Sequence, residues 1–234
     1  MANNEEERRA GLTFGGNLRA AVFGVSDGLV SNTSLIMGVS GAFADPRTVL
    51  ITGAAGVLAG ALSMAAGEYV SMRSQRELFE EQIAREEEAL KTHPKEEIDA
   101  LARIYHRRGL PLDVARRISK ALSADERAAL ETHAREHLGL NPEDLGSPVG
   151  AGISSFVSFG LGATVPLLPF ILGAAGHAFL LAIVLAAIGL FVVGVASSWV
   201  TSQARLRGGV RLLVFGGGAG IVAYLIGKLL GVSV

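Results

Sequence analysis

The sequence predicts an all-α membrane protein with five transmembrane helices and a cytosolic helical insert between spans two and three. Its 234 residues are 50% hydrophobic and only 18% charged, with a mean hydropathy of +0.41, which is more apolar than a typical soluble domain. Thirty glycines suit closely packed membrane helices. Charged side chains are also strongly segregated, because long uncharged stretches flank one highly charged block. These three observations together indicate the membrane class.

The first two spans are predicted to form a helical hairpin. Between residues 20 and 43 the only charged side chain is Asp27, and residues 48–67 carry no charge. Each stretch therefore has the roughly 20 residues that a helix needs to cross a bilayer. The short connection between them contains Asp45 followed by Pro46, a pair that favours a turn.

Three further spans are predicted in the last third of the chain. Residues 147–204 contain no charged side chain, which is long enough for two spans separated by a break at residues 173–177. A fifth span is expected from about Leu212 to the C-terminus. Lys228, near its end, is expected to extend its charged group to the membrane interface.

The block between spans two and three is polar and is predicted to fold in water as a helical subdomain, residues 71–146. It holds sixteen of the 22 acidic residues, thirteen of the 21 basic residues and four of the five histidines. Its first helix is expected to continue span two to about Leu90, because neither Gly nor Pro occurs between Glu68 and Leu90. Its last helix is expected to open with a capping box formed by Ser123 and Glu126.

Basic residues near the span ends predict the orientation. Arg8, Arg9 and Arg19 precede span one and the insert is rich in Lys and Arg, whereas the opposite side has only Arg47 and Lys228. By the positive-inside rule the N-terminus and the insert lie in the cytosol. The predicted segments are a cytosolic N-terminal segment at 1–18, spans one and two at 19–70, the insert at 71–146 and spans three to five at 147–234.

Composition also excludes several classes of function. The net charge of −1 gives no argument for nucleic-acid binding. A chain without cysteine has no thiolate metal site, iron–sulfur cluster or disulfide. The sequence shows no nucleophile elbow, phosphate-binding loop or HExxH motif, so we do not expect an enzyme. The N-terminus lacks the short apolar region of a cleavable signal peptide.

A carboxylate inside the first span is the main functional signal. An ionisable side chain in a transmembrane helix costs about 2.5–3.5 kcal/mol on insertion scales, so it normally faces the helix bundle and marks an ion or proton pathway. Ser31 and Ser34 share a helix face with Asp27. On span two, Met64 and Glu68 are four residues apart. One carboxylate from each arm of the hairpin, with a thioether nearby, predicts a site for a dehydrated divalent transition metal.

The alternative interpretation is structural. In it, Asp27 starts a turn at the membrane interface and Glu68 only lies at the water boundary.

Two GxxxG patterns on the same spans indicate close packing within the hairpin or a dimer contact. These patterns are Gly24–Gly28 and Gly56–Gly60.

Five ordered sequence elements resemble the vacuolar iron transporter family from about Arg19 to the last span. They are "RAAVFGVSDGLVSNTSLIMGVSGA", "GVLAGALSMAAGEYVSMRSQRE", "IYHRRGL", "HAREHLGL" and "VSFGLGATVPLLPFIL". The resemblance implies a homodimer of five-span subunits that moves Fe2+, and often Mn2+, out of the cytosol in exchange for protons, without a prosthetic group. It also implies that Asp27 and Met64 lie on the ion pathway and that Glu68 matches an acidic family position.

The insert resembles the family's cytosolic metal-binding domain, in which glutamates collect ions. Glu86 and Glu97 match two of these glutamates, whereas Ala89 and Ala100 stand at two other expected positions. The Glu86–Glu88 run as a whole is expected to be a solvated face, with Glu86 alone as a candidate ligand.

The closing motif of the insert also departs from the family. It reads "EHLGL", with Glu136 in the candidate ligand set and His137 where glutamate is usual. His133 and His137 are four residues apart, a spacing that can place two imidazoles on one ion. Three interpretations stay open: a compensated metal site, a remnant that no longer binds metal, or exposed polar helix residues. His93 and His106 are expected on the surface and His177 in a loop.

Two functional classes follow. In the first, the protein is a proton-coupled transporter of Fe2+ or Mn2+ that exports the ion from the cytosol. In the second, it is a membrane-anchored protein that binds or senses metal without transport. A carboxylate within a span favours the first class, because a membrane anchor has no need of it. The expected location is the plasma membrane of a bacterium, with a vacuolar membrane as the alternative.

Overall fold

The computed structural model describes residues 2–43, 45–142, 145–174, 176–200 and 204–231. Every regular element in these ranges is helical, which confirms the predicted all-α class. The helices are α1 (Ala2–Ala42), α2 (Pro46–Thr92), α3 (Pro94–Arg107), α4 (Leu112–Leu122), α5 (Glu126–His133), α6 (Pro148–Thr164), α7 (Leu168–Ile171), α8 (Ala178–Val200) and α9 (Arg205–Gly231).

Five helices in the described ranges are long and apolar enough to cross a membrane, as the sequence predicted. The corresponding segments are Arg19–Ala42, Pro46–Thr92, Pro148–Ile171, Ala178–Ser198 and Arg205–Gly231. The first span begins at Arg19, as predicted, although its helix α1 starts earlier, at Ala2, whereas the fifth span begins at Arg205 rather than near Leu212. Arg and Glu are good helix formers, so both helices extend beyond the apolar stretch that hydropathy detects.

Helix α2 is 47 residues long and runs without interruption through the apolar and the charged parts of its sequence. At a rise of about 1.5 Å per residue it measures about 70 Å. Asp45 caps its start, since its carboxylate accepts hydrogen bonds from the Thr48 backbone N–H at 2.9 Å and from the Thr48 hydroxyl at 2.6 Å. The helix ends at Thr92, just before Pro94, so the predicted continuation to about Leu90 is confirmed.

The chain divides into two compact units. The first, which we call the polar unit, comprises Met1–Thr13 and Ser71–Ser147. The second, which we call the membrane unit, comprises Phe14–Val70 and Pro148–Val234 and contains the apolar parts of all five spans.

Small residues bring α1 and α6 into close contact within the membrane unit. A Cβ added at Gly28 would lie 2.8 Å from the Ala163 backbone nitrogen and would overlap the Phe159 carbonyl. Gly24 faces Ser158 of α6 in the same way. The first GxxxG pattern therefore packs against the third span, rather than within the hairpin or at a dimer contact as predicted. The second pattern is divided, because Gly56 faces α1 and Gly60 faces Phe159.

The third span is irregular at its far end. Helix α6 passes into a 3-10 turn at Val165–Leu167 before α7 begins. Pro166 and Pro169 lie in this region, and a proline cannot donate the hydrogen bond that continues an α-helix. The chain then turns between α7 and α8, where the break between spans three and four was predicted.

The polar unit has its own core, formed where α3 packs against α4. Leu101 and Ala102 of α3 and Ala115 of α4 are at most 1% exposed. Helix α5 is capped by Asp125, whose side chain accepts a hydrogen bond from the Ala128 N–H at 2.9 Å. The predicted capping box at Ser123 is therefore wrong, because a second N-cap residue lies two positions later and starts the helix there.

Candidate metal sites

A cavity of about 290 Å³ lies among α1, α2 and α6 of the membrane unit. It contains the Asp27 carboxylate and the Met64 thioether in its lining, so the structure brings these two predicted residues together. The remaining lining residues are Ser31, Asn32, Leu35, Gly56, Gly60, Ser63 and Phe159. Most of this lining is apolar or uncharged, so the carboxylate of Asp27 supplies the negative charge.

Asp27 lies within an unbroken helix. Helix α1 continues from Ala2 to Ala42, so the alternative in which Asp27 starts a turn is wrong. The side chain is half-buried, and the Ser31 hydroxyl donates a hydrogen bond to Asp27 Oδ1 at 2.9 Å. This bond follows from the i, i+4 spacing noted in the sequence and holds the carboxylate in one orientation.

Met64 has both a packing and a lining role. It is half-buried and packs against the buried cluster formed by Ala61, Phe159 and Ala163. A thioether is a soft, weak ligand, and its flexible side chain can adapt to an ion without disturbing the backbone.

Glu68 lies one helical turn beyond Met64 and is outside the described lining of the cavity. Its carboxylate lies 3.8 Å from the guanidinium of Arg19, with the Arg19 side chain 79% exposed and that of Glu68 19% exposed. An ion pair with such an exposed partner is weak, typically within about 1 kcal/mol. In this conformation Glu68 is thus an acidic group near the cavity and not part of it.

A second candidate site is a cluster of four side chains in the polar unit. Glu86, Glu97, His133 and His137 each offer one ligand atom, and these atoms all lie within 4.8 Å of one another. Four ligands at about 2.0–2.2 Å from one ion lie at most about 4.4 Å apart. A small side-chain adjustment therefore suffices for one ion, and two carboxylates balance a divalent charge.

Glu86 is the centre of this cluster. Its Oε1 atom lies 3.0 Å from His133 Nδ1 and 3.2 Å from His137 Nδ1, while Glu97 Oε2 lies 3.7 Å from His133 Nδ1. His133 is fully buried, and its Nε2 atom has no hydrogen-bond partner among the described residues. The interpretation of His133 as an exposed helix residue is therefore wrong.

A widened helical turn orients His137. Helix α5 ends at His133 and continues as a π-helical turn from Ala134 to Leu138. Gly139 ends this turn with φ +67°, a left-handed conformation that glycine adopts without strain. The two imidazole rings lie 5.4 Å apart at 71° to each other. Such π-turns are rare and are often found at functional sites.

Glu136 is not part of this group of described ligands. Its carboxylate forms an ion pair with Arg108 instead. Burial, and then the negative charge of Glu136, raise the pKa of Tyr105 beside this pair. Because it precedes His137 by one residue, Glu136 points away from the cluster, which helical geometry explains.

The other histidines lie where the sequence placed them. His93 and His106 are exposed, and His177 lies in the turn before α8. Sequence reasoning missed Asn32 and Ser63 in the lining of the membrane cavity. An amide in an uncharged span was a detectable signal, but Asn32 is five residues from Asp27 and falls outside the i, i+4 pattern.

Five candidate membrane-spanning helices with an acidic cavity among three of them define an integral membrane protein of the all-α class. The profile of the VIT family matches residues 18–228, and the chain belongs to this family. The resemblance seen in the sequence is thereby confirmed.

Curated relatives match nearly the whole chain. Vacuolar iron transporter 1 of Arabidopsis thaliana is 30% identical over 219 residues, 93% of this chain and 88% of that protein. Vacuolar iron transporter homolog 1 of Oryza sativa subsp. japonica is 35% identical, and the match covers 92% of this chain and 74% of that protein. Vacuolar iron transporter of Toxoplasma gondii is 31% identical, and the match covers 91% of this chain and 74% of that protein. These family members are transporters and not enzymes, as was expected for this chain.

Proposed function

We propose that this chain is a transporter of divalent transition-metal ions, with Fe2+ and Mn2+ as its substrates. The observation that carries the proposal is the cavity in which Asp27 and Met64 meet among three membrane helices. A carboxylate in a membrane span is costly and normally serves an ion pathway. The names of the relatives, which are iron transporters, support the same class of substrate.

Proton coupling is assigned to Asp27. A carboxylate binds a metal ion only when it is deprotonated, so protons and metal ions compete for Asp27. Protonation from the side opposite the cytosol releases the ion there, which couples export to proton entry. Fe2+ or Mn2+ is the cargo in this scheme, and no prosthetic group takes part.

The four-residue cluster of the polar unit collects ions before translocation. Its two carboxylates supply the charge for a divalent ion, and its two imidazoles add ligands where the family pattern has further glutamates, His137 at one of those positions. The convergence of these groups supports a compensated site over a remnant. We place this unit and the N-terminus in the cytosol, as the distribution of Lys and Arg indicates.

Glu68 is proposed as an outer acidic ligand near the membrane cavity. Its weak ion pair with the exposed Arg19 is replaced when a divalent ion approaches. The homodimer and the host membrane are predictions of the same scheme. Between the plasma membrane of a bacterium and a vacuolar membrane, the names of the relatives favour the second.

Uptake into liposomes tests the proposal. Purified full-length protein is reconstituted, and entry of Fe2+, Mn2+ and Zn2+ is followed with and without a pH gradient. We expect Fe2+ and Mn2+ flux that the gradient accelerates. Metal binding without any flux would instead support the second functional class, a membrane-anchored metal-binding protein, for which the self-contained cluster in the polar unit is the favourable observation.

A further inference from the structure

We propose that Asn32 is a neutral oxygen ligand in the membrane cavity and that it biases the transported ion towards Mn2+ relative to Zn2+. This inference rests on the proposed function and names a selectivity determinant within it. It is carried by the buried amide of Asn32, which is fixed at its nitrogen and unpartnered at its oxygen, beside Asp27 and Met64.

The orientation of the amide is set by α6. Asn32 Nδ2 donates a hydrogen bond to the Ala163 carbonyl at 2.6 Å, across 131 residues of sequence. A carbonyl oxygen only accepts hydrogen bonds, so the amide nitrogen must face it. Two residues after Ala163 the helix passes into the 3-10 turn at Val165–Leu167, and Pro166 in this turn has no N–H to donate to a carbonyl.

The opposite end of the amide is buried without compensation. Asn32 is 2% exposed, and its Oδ1 atom has no hydrogen-bond partner among the described residues. A buried acceptor without a partner costs free energy, and such groups call for a specific explanation. If Asn32 served only to connect α1 to α6, a donor would be sufficient and the oxygen would have no role.

The buried oxygen lies beside Gly56 of the cavity lining. A Cβ built on Gly56 would lie 3.0 Å from Asn32 Oδ1, and both residues belong to the cavity lining. Because Gly56 has no side chain, no Cβ lies between this oxygen and the Gly56 backbone. The same lining holds the carboxylate of Asp27 and the thioether of Met64.

The chemistry of these three groups gives the expected selectivity. Carboxylate and carbonyl oxygens are hard ligands that suit Mn2+, whereas a thioether is soft. Asn32 adds a second oxygen without a second charge, which shifts the balance towards hard ions. Without the Asn32 oxygen, only Asp27 and the soft Met64 of these three groups bind the ion. The loss of affinity is then larger for Mn2+ than for Zn2+.

The test compares the KM for Mn2+ with the KM for Zn2+ during uptake into liposomes. We expect Asn32→Leu to raise the KM for Mn2+ by at least about tenfold and the KM for Zn2+ by clearly less, so that the preference for Mn2+ falls. Asn32→Asp keeps an oxygen at this position but, when ionised, cannot donate to Ala163. It should keep the preference for Mn2+.

A matched control is Thr33→Val. Thr33 is also buried, with an unpartnered hydroxyl oxygen, but it lines a different pocket with Ile36 and Met37. Removing this hydroxyl should leave the ratio of the two KM values unchanged. Equal effects of Asn32→Leu on both ions, or equal losses in Asn32→Leu and Asn32→Asp, would show a purely structural role and overturn the proposal.

A second variant guards against misfolding of Asn32→Leu. Gly56→Ala retains the amide but places a methyl group 3.0 Å from its oxygen, where it hinders an ion from binding, and it should lower the preference for Mn2+ in the same direction. If the parent protein transports no ion, the proposed function fails. The inference is then tested by Mn2+ binding to full-length protein that carries His133→Ala and His137→Ala. The inference would be contradicted if Asn32→Leu left Mn2+ binding to that histidine-free protein unchanged. It would also be contradicted if every Asn32 and Gly56 variant kept the transport selectivity of the parent.

Discussion

His133 Nδ1 lies 3.0 Å from Glu86 Oε1, although 47 positions separate the two residues in the chain. His133 is fully buried, so this contact is part of the core of the polar unit. Buried histidines and carboxylates that converge are a common basis for metal sites. Folding of the polar unit therefore brings together two of the side chains that are proposed to bind metal.

Replacing the two histidines should weaken metal binding by the polar unit. His133→Ala and His137→Ala, each made in full-length Asp27→Asn protein to remove the membrane site, are expected to lower Mn2+ affinity by at least about tenfold. Calorimetric titration measures the effect. His106→Ala is the control, because His106 is exposed and its Nδ1 contacts only the Leu110 carbonyl among the described residues. An affinity unchanged by both site variants would contradict the assignment.

A methyl group at Gly28 should destabilise the membrane unit. Its Cβ would lie 2.8 Å from the Ala163 backbone, and overpacking of this kind costs about 1–3 kcal/mol. The expected result is a lower midpoint of thermal unfolding in detergent. Gly217→Ala is the matched control, because nothing lies within 4 Å of the added Cβ. Equal midpoints for both variants would show that α1 and α6 do not pack as described.

Much of the architecture could be predicted from the sequence, because hydropathy and uncharged length are local properties. The unbroken course of α2 followed from the absence of Gly and Pro after Glu68. Helix starts such as Arg205 were missed, because charged residues continue a helix without adding to its hydropathy. The partners of Gly24 and Gly28 were missed for another reason. Which helix fills a small-residue groove depends on tertiary packing and not on the pattern itself.

In the candidate sites, too, some features could be predicted from the sequence and others depend on tertiary contacts. Asp27 was predicted as a carboxylate in an apolar span, and Met64, His133 and His137 were predicted from helical spacing, whereas Glu86 and Glu97 were predicted only through the resemblance to the family. The pairing of Glu136 with Arg108 depends on two helices meeting, which spacing along one helix does not reveal. Asn32 was missed because its role depends on a carbonyl of α6, 131 residues away.

The proposed orientation can be tested with single cysteines, since the natural sequence contains none. Two exposed positions are suitable: His177, in the turn before α8, and Lys95, in α3. In intact cells with the protein in the plasma membrane, a membrane-impermeant maleimide should label His177→Cys. It should label Lys95→Cys only after permeabilisation. The reverse pattern would place the polar unit outside the cytosol.

The cap of α2 should make stability depend on pH. Hydrogen bonds from the Thr48 hydroxyl and the Thr48 and Arg47 backbone lower the pKa of Asp45. A lowered pKa stabilises the fold above the ordinary pKa of about 3.9, and this contribution is lost as pH falls through the folded-state value. The parent should therefore unfold at a higher temperature than Asp45→Ala near neutral pH, and the difference should shrink in acid. A difference that grew in acid would contradict the capping role.

Asp27→Asn is the substitution that separates transport from mere membrane anchoring. Asparagine keeps nearly the same volume and hydrogen-bonding reach, but it removes both the charge and the titratable proton. Folding should therefore survive, because a carboxylate in a membrane span is costly. Met64→Leu is a useful companion, since it keeps an apolar side chain and removes the thioether.

The most direct test is the flux of Fe2+ or Mn2+ into liposomes that contain equal amounts of folded parent or Asp27→Asn protein, with a pH gradient imposed. The proposed mechanism predicts flux that depends on the gradient in the parent. It predicts none above background in Asp27→Asn, because the cavity loses its charge for the ion and its means of proton coupling. Near-parental, gradient-dependent flux in Asp27→Asn would contradict the assignment of this aspartate to the ion pathway.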